Sequence, residues 1–143
     1  MNSTPPDQPG IPAPRLAEAP AFETGRPDRY TGQVAVARVL TAHDDSLRVY
    51  EVRFAPSART VWHVHAGEQW LIGLVGSYLV QCADETARRL GPGEATLIPA
   101  GVRHWHGAEQ NSGASHLVVN VVGATTWLAP LTVEEYAAAA AHS

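Results

Sequence analysis

Beyond residue 30 the chain is written in short apolar runs cut by turn residues. Residues 33–40 (Q-V-A-V-A-R-V-L) and 46–54 (S-L-R-V-Y-E-V-R-F) alternate apolar with polar side chains, which predicts two strands joined by the polar turn A-H-D-D. Further runs at 60–65, 69–74, 78–82, 87–90, 95–99 and 103–106 are separated by turn signals that include Ala66-Gly67, Gly76-Ser77, A-D-E-T and G-P-G. So many short strands with glycine and proline between them predict an all-β sandwich or barrel. The pattern changes once. Thr132 stands three residues before Glu135, the spacing of a capping box, and E-E-Y-A-A-A-A-A predicts a short C-terminal helix.

The most apolar run is 115–122. One face carries His116, Val118, Asn120 and Val122, and the other carries Leu117, Val119 and Val121. Both faces being largely apolar, the strand should be covered on both sides, one of them the barrel interior. A second sheet, the C-terminal helix or a partner subunit would cover the other, and a homodimer or higher homo-oligomer is the economical expectation. Residues 1–22 are rich in Pro and Ala without a period and read as a disordered tail, leaving 23–143 as a single domain.

Composition narrows the function. A chain of 143 residues builds one core but hardly two, and 45% apolar against 17% charged residues makes it globular. A net charge of −4 argues against nucleic-acid and polybasic membrane partners. All ten cations are arginine, so Schiff-base chemistry has no lysine to use. Cys82 is the one cysteine; it reads as a structural thiol and permits no intrachain disulfide. No apolar run is long enough to span a membrane, and the N-terminus lacks the basic start and apolar stretch of a signal peptide. A cytoplasmic location is the expectation.

Candidate chemistry lies in two segments, W-H-V-H-A-G-E-Q-W and P-A-G-V-R-H-W-H. His63 and His65 stand two apart, so on a strand they leave the same face, and Gln69 keeps that parity. A strand partner carrying His104 would close a four-donor cluster. Imidazoles with an amide oxygen suit manganese, iron, nickel, cobalt or zinc. His43 and His142, in a turn and at the terminus, read as ordinary histidines.

These segments resemble the two motifs of the cupin family, a glycine-flanked H-x-H with a following carboxylate and a G…P-x-G…H run. The first matches S-A-R-T-V-W-H-V-H-A-G-E-Q-W-L-I-G-L-V-G, residues 57–76, and the second matches G-E-A-T-L-I-P-A-G-V-R-H-W-H-G-A, residues 93–108. The resemblance implies a double-stranded β-helix, or jelly-roll barrel. Ser57 replaces the opening glycine and Ala108 the closing asparagine. Gln69 stands at the carboxylate position with Glu68 one residue early; parity favours Gln69 unless a bulge at Ala66-Gly67 reverses the phase.

Within the family, A-R-T-x-W-H-x-H-x-x-x-Q followed by R-H-W-H-G-A and a later histidine is similar to the manganese-dependent bacterial hydroxynitrile lyases. The similarity reaches from Tyr30-Thr31-Gly32 to Thr132-Val133-Glu134-Glu135-Tyr136. It implies His63, His65, Gln69 and His104 as metal ligands, manganese first, and His116 as the catalytic acid/base. It also puts Tyr50 and Val52 where that group has small pocket-lining residues; His106 and Asn120 share the pocket faces. Trp62, Trp70 and Trp105 lie opposite in phase and read as packing or interface residues. Arg48 and Arg53 read as solvated, although one at the barrel mouth would steer an acidic substrate. Three classes follow: a metal-dependent small-molecule lyase, an Fe(II)- or Ni-dependent dioxygenase, or a non-catalytic metal-dependent ligand-binding cupin.

Overall fold

The computed structural model describes residues 15–16, 20–41, 46–121 and 123–142. Most of the expected tail, His43 with its turn, and Val122 lie outside the described residues. The described residues form β1 (Arg15–Leu16), β2 (Glu23–Thr24), β3 (Tyr30–Thr31), β4 (Val34–Thr41), β5 (Leu47–Phe54), β6 (Arg59–Thr60), β7 (His63–His65), β8 (Gln69–Val75), β9 (Tyr78–Cys82), β10 (Arg88–Leu90), β11 (Ala95–Ile98), β12 (His104–Ala108), β13 (Ala114–Val121), β14 (Thr125–Trp127) and α1 (Val133–His142). The all-β expectation and the single C-terminal helix are borne out.

Two antiparallel sheets face each other. The first runs β1-β4-β5-β13-β8-β11, with β2 also on β4; the second runs β10-β9-β12-β6-β3, with β7 between β12 and β14. Val52, Phe54, Leu71 and Val118 of the first sheet pack against Tyr78, Val80 and Ala108 of the second to form the main core. These inward residues sit at alternate positions, so the period of two in the sequence becomes the inside of the barrel.

One expected strand is broken. The run 60–65 divides into β6 and β7 because the backbone at residues 61–62 is taken by loops. Val61 N–H donates to Arg29 C=O at 2.9 Å, Trp62 N–H to Ala129 C=O at 3.0 Å, and Trp62 C=O accepts from Leu128 at 2.8 Å. No local pattern announces partners that distant.

The helix begins as expected. Thr132 N–H donates to Glu135 Oε1 at 2.9 Å and Glu135 N–H to Thr132 Oγ1 at 3.0 Å, the reciprocal capping box. Its apolar side covers the outside of the second sheet, where Trp62, Leu79, Trp105, Leu131, Tyr136 and Ala139 form a second cluster. Tyr136 donates its hydroxyl to Ala108 C=O at 2.7 Å. Hence β12 is buried along its whole length, on both faces. Trp62 and Trp105 are packing residues, whereas Trp70 is 41% exposed on the uncovered outside of the first sheet.

Candidate metal centre

Strand parity delivers the histidines. In β7 the pattern is buried, half-buried, buried, so His63 and His65 both point inward. Antiparallel pairing sets His104 of β12 directly opposite His63, and their ring centroids are 4.2 Å apart. The left-handed turn at Gly101 (φ 79°) precedes β12, and its N–H donates to His65 C=O at 2.8 Å, tying the two histidine segments together. Gln69 arrives from the opposite sheet and is buried, while Glu68 is exposed and lends only its backbone carbonyl to Val121. The glutamine is therefore the residue inside, and it arrives there on the first strand position of β8.

The tautomers follow from the hydrogen bonds. His63 Nδ1–H donates to Val61 C=O at 2.8 Å and His104 Nδ1–H to Val102 C=O at 2.9 Å. A carbonyl only accepts, so Nε2 of each neutral ring keeps its lone pair. His65 Nδ1 bonds Thr125 Oγ1 at 2.8 Å. Outer partners that fix the ring in this way are the usual support of metal-binding imidazoles. Burial pushes the His65 and His104 pKa values down to about 4, and burial together with the neighbouring His104 holds His63 well below its ordinary value. The rings are neutral, as metal ligands must be.

Gln69 sits between two of them. Its Nε2 is 2.9 Å from His65 Nε2 and its Oε1 is 2.9 Å from His104 Nε2. In that arrangement the two acceptors, Oε1 and His104 Nε2, face each other. Turning the amide over satisfies His104 only if His65 changes tautomer and Asn120 turns as well. A cation takes all these lone pairs at once. The 2.9 Å between Gln69 Oε1 and His104 Nε2 sets two such donors side by side, where one ion would be held by both. The residues present fit a divalent transition ion.

His106 completes the cluster. Ring nitrogens of His63, His104 and His106 come within 4.8 Å of one another, an arrangement compatible with a divalent metal site. His106 Nδ1, however, is engaged by His116 Nε2 at 2.9 Å. His116 is fully buried between the rings of Phe54 and Tyr78, at 5.1 and 5.2 Å, and does not line the cavity. The residue expected to touch substrate is one layer behind, with His106 in front of it. Its Nδ1 has no hydrogen-bond partner.

The cavity, of about 400 Å³, opens over this cluster, and Tyr50, Val52, His106 and Asn120 are among its lining residues. Asn120 Oδ1 accepts from Gln69 Nε2 at 2.9 Å. Arg48 lines the mouth, whereas Arg53 turns outward to Glu51 and stacks on Phe22. Sequence reading missed Arg29, Tyr30, Thr125 and Trp127 in the wall. The Trp127 ring stacks on His63 at 4.8 Å and 27°. The only signal for β14 was T-T-W, three β-formers with nothing to mark which strand they would join. Cys82 stands opposite His104 in the pairing of β9 with β12 but does not line the cavity, and burial raises its thiol pKa, as suits a structural thiol.

A two-sheet β-barrel enclosing buried imidazoles, a glutamine and a small open cavity is compatible with a divalent metal site and with a small-molecule class of protein. The chain belongs to the cupin family: residues 50–120 match the family described as Cupin domain. It is similar to an (R)-mandelonitrile lyase of Granulicella tundricola, with 33% identity over 116 residues, 78% of this chain and 88% of that one. Among solved structures it is similar to a cupin-like protein of Thermotoga maritima, at 37% identity and TM-score 0.75, covering 79% and 89% of the two chains. A cupin 2 conserved barrel domain protein of Rhodopseudomonas palustris shares the fold at 14% identity and TM-score 0.65, over 89% and 90%. No helix among the described residues is long and apolar enough to cross a membrane.

Proposed function

We propose that this chain is a metal-dependent small-molecule enzyme that cleaves a carbon–carbon bond in the manner of a hydroxynitrile lyase. His63, His65, Gln69 and His104 hold the ion in this reading, manganese first, with iron, nickel, cobalt or zinc also suited to the donors. The observation that carries it is Gln69 wedged between Nε2 of His65 and Nε2 of His104 at 2.9 Å from each. The identity to a mandelonitrile lyase over 88% of that protein's length supports the same reading. A neutral shell of three imidazoles and an amide leaves the ion's full charge to attract an anion at an open position.

Proton transfer falls to His106, the histidine on the cavity wall. When its Nδ1–H donates to His116 Nε2, its own Nε2 presents a lone pair to substrate. That nitrogen takes the hydroxyl proton of a cyanohydrin. The C–O bond becomes a carbonyl, the bond to the nitrile carbon breaks, and its electron pair leaves on cyanide. The proton on His106 then passes to cyanide, and aldehyde and HCN depart. His116 acts through His106 as a positioning residue. Tyr50, standing where the lyase-like group has small residues, narrows the cavity towards compact substrates.

A homodimer belongs to the same proposal. Trp70, Leu97 and Val121 leave the outside of the first sheet apolar and open, and a second copy offering the same face would bury it.

Elemental analysis of the purified protein, followed by cyanide release from a panel of small cyanohydrins, tests the activity. A stoichiometric transition ion and chelator-sensitive, oxygen-independent cyanide release are expected. Absence of an ion under every loading condition overturns the reading. So does an iron-dependent oxygen uptake without cyanide release.

A further inference from the structure

The cavity wall carries two arginines that the proposed reaction does not use. Arg29 and Arg48 both line it, and its lining contains no Asp or Glu. In a chain of net charge −4 the site is thus locally cationic before any metal enters. Neither guanidinium forms an ion pair among the described residues: Asp28, beside Arg29, is held by Arg26 at 3.1 Å. Arg29 Nε is buried and has no hydrogen-bond partner. A buried, unsatisfied cationic donor beside an open cavity is a group awaiting an acceptor.

Both side chains are set in a fixed relation to the histidine cluster. Arg29 C=O accepts from Val61 N–H at 2.9 Å, and Val61 C=O accepts from His63 Nδ1 at 2.8 Å. The Arg29 guanidinium lies 5.1 Å over the Trp127 ring, which stacks on His63. Backbone and side chain therefore both tie Arg29 to His63. Arg48 is anchored from the other sheet. Antiparallel register sets it opposite Asn120, and Asn120 opposite Gln69. Two strand spacings of ~4.8 Å put its Cα roughly 10 Å from that of Gln69, within reach of an arginine side chain on the same face.

We propose that the site selects a small carboxylate, a compact 2-hydroxy acid or its close relative, whose carboxylate pairs with Arg29 and Arg48. The hydroxyl end then lies over the histidine cluster. This goes beyond the proposed function: it rests on the same cavity, but a 2-hydroxy acid carries no nitrile to release and is acidic, where the mandelonitrile lyase is named for a neutral substrate. The planar fork of arginine suits a carboxylate in two-point contact, and stacking on Trp127 restrains one fork before the ligand arrives.

Titration with lactate and with its neutral isostere lactamide separates charge recognition from shape. Binding is read by calorimetry on both the manganese-loaded and the chelated protein. We expect lactate to bind at least ~10-fold more tightly than lactamide, and Arg29→Met and Arg48→Met each to weaken lactate ~10-fold while lactamide is unchanged. Arg48 is exposed at the mouth, so Arg48→Met keeps the fold even if Arg29→Met, with its Trp127 contact, does not. Equal binding of the two probes, binding of neither, or a lactate preference that survives Arg48→Met overturns the proposal. The chelated arm distinguishes the two ideas: a protein that takes no metal yet keeps an arginine-dependent preference for lactate sinks the lyase and leaves the carboxylate site standing.

Discussion

Gln69 and Glu68 are adjacent and chemically similar in size, yet one is buried against two imidazoles and the other is exposed to solvent. Gln69 opens β8 on its inward face while Glu68 lies just before it, so no carboxylate joins the cluster. Two histidines compete for the third imidazole place, His65 beside Gln69 and His106 beside His63 and His104. Metal content separates them. His65→Ala should lose the ion, because its Nε2 faces Gln69 and its Nδ1 is fixed by Thr125. His106→Ala should keep the ion and lower cyanohydrin turnover by ~10²–10⁴, the usual worth of a general base. The opposite pattern would make His106 a ligand. His116→Gln should alter the pH profile of turnover more than substrate affinity, since His116 reaches the cavity only through His106 Nδ1.

At the scale of elements, the turn before β12 and the helix outside it hold His104 in place. Gly101 has φ 79° and open space where a Cβ would go, so Gly101→Ala meets no clash and pays only for the left-handed backbone. A loss of ~1–2 kcal/mol is expected in urea unfolding, with metal binding weakened because the Gly101 N–H to His65 C=O bond is disturbed. Ser57 has φ 67° where the family motif opens with glycine, so that replacement keeps the motif's backbone without its residue. On the helix, Tyr136→Phe removes the hydroxyl bond to Ala108 C=O and should cost ~1–2 kcal/mol. An unchanged unfolding midpoint would show that α1 is held by its apolar contacts alone.

For the whole molecule the buried histidines make stability depend on acid. His65, His104 and His116 have pKa values of about 4, and His63 and His106 lie well below their ordinary value, with burial the first cause for all five. In the unfolded chain each titrates near ~6.5. Between those values the unfolded state binds more protons, so stability rises with pH across the window and is lost as pH falls through it. Metal-free protein should lose roughly 1.5 kcal/mol for each of His65, His104 and His116 between pH 6.5 and 5. A flat urea midpoint over that interval would contradict neutral burial. The apolar outside of the first sheet makes a different prediction: light scattering should give a dimer, and Leu97→Asp, on an exposed side chain of β11, should give a folded monomer.

The sequence by itself determined what is local. A period of two set which residues of β5, β7, β8 and β13 face inward, glycines and prolines placed the turns, and Thr132 with Glu135 started the helix. The pair His63 and His65 was legible for that reason, since parity needs no knowledge of the partner strand, whereas Gln69 stands on a strand of the other sheet, beyond a turn. Only the tertiary structure decided the rest. It brought His104 opposite His63, set Gln69 across from both on the other sheet, buried His116 behind His106, and carried Arg29 and Trp127 to the cavity wall. Those placements depend on register and on how two sheets close over a shared core. That is a balance of burial among residues far apart in the chain, for which no short pattern carries a signal.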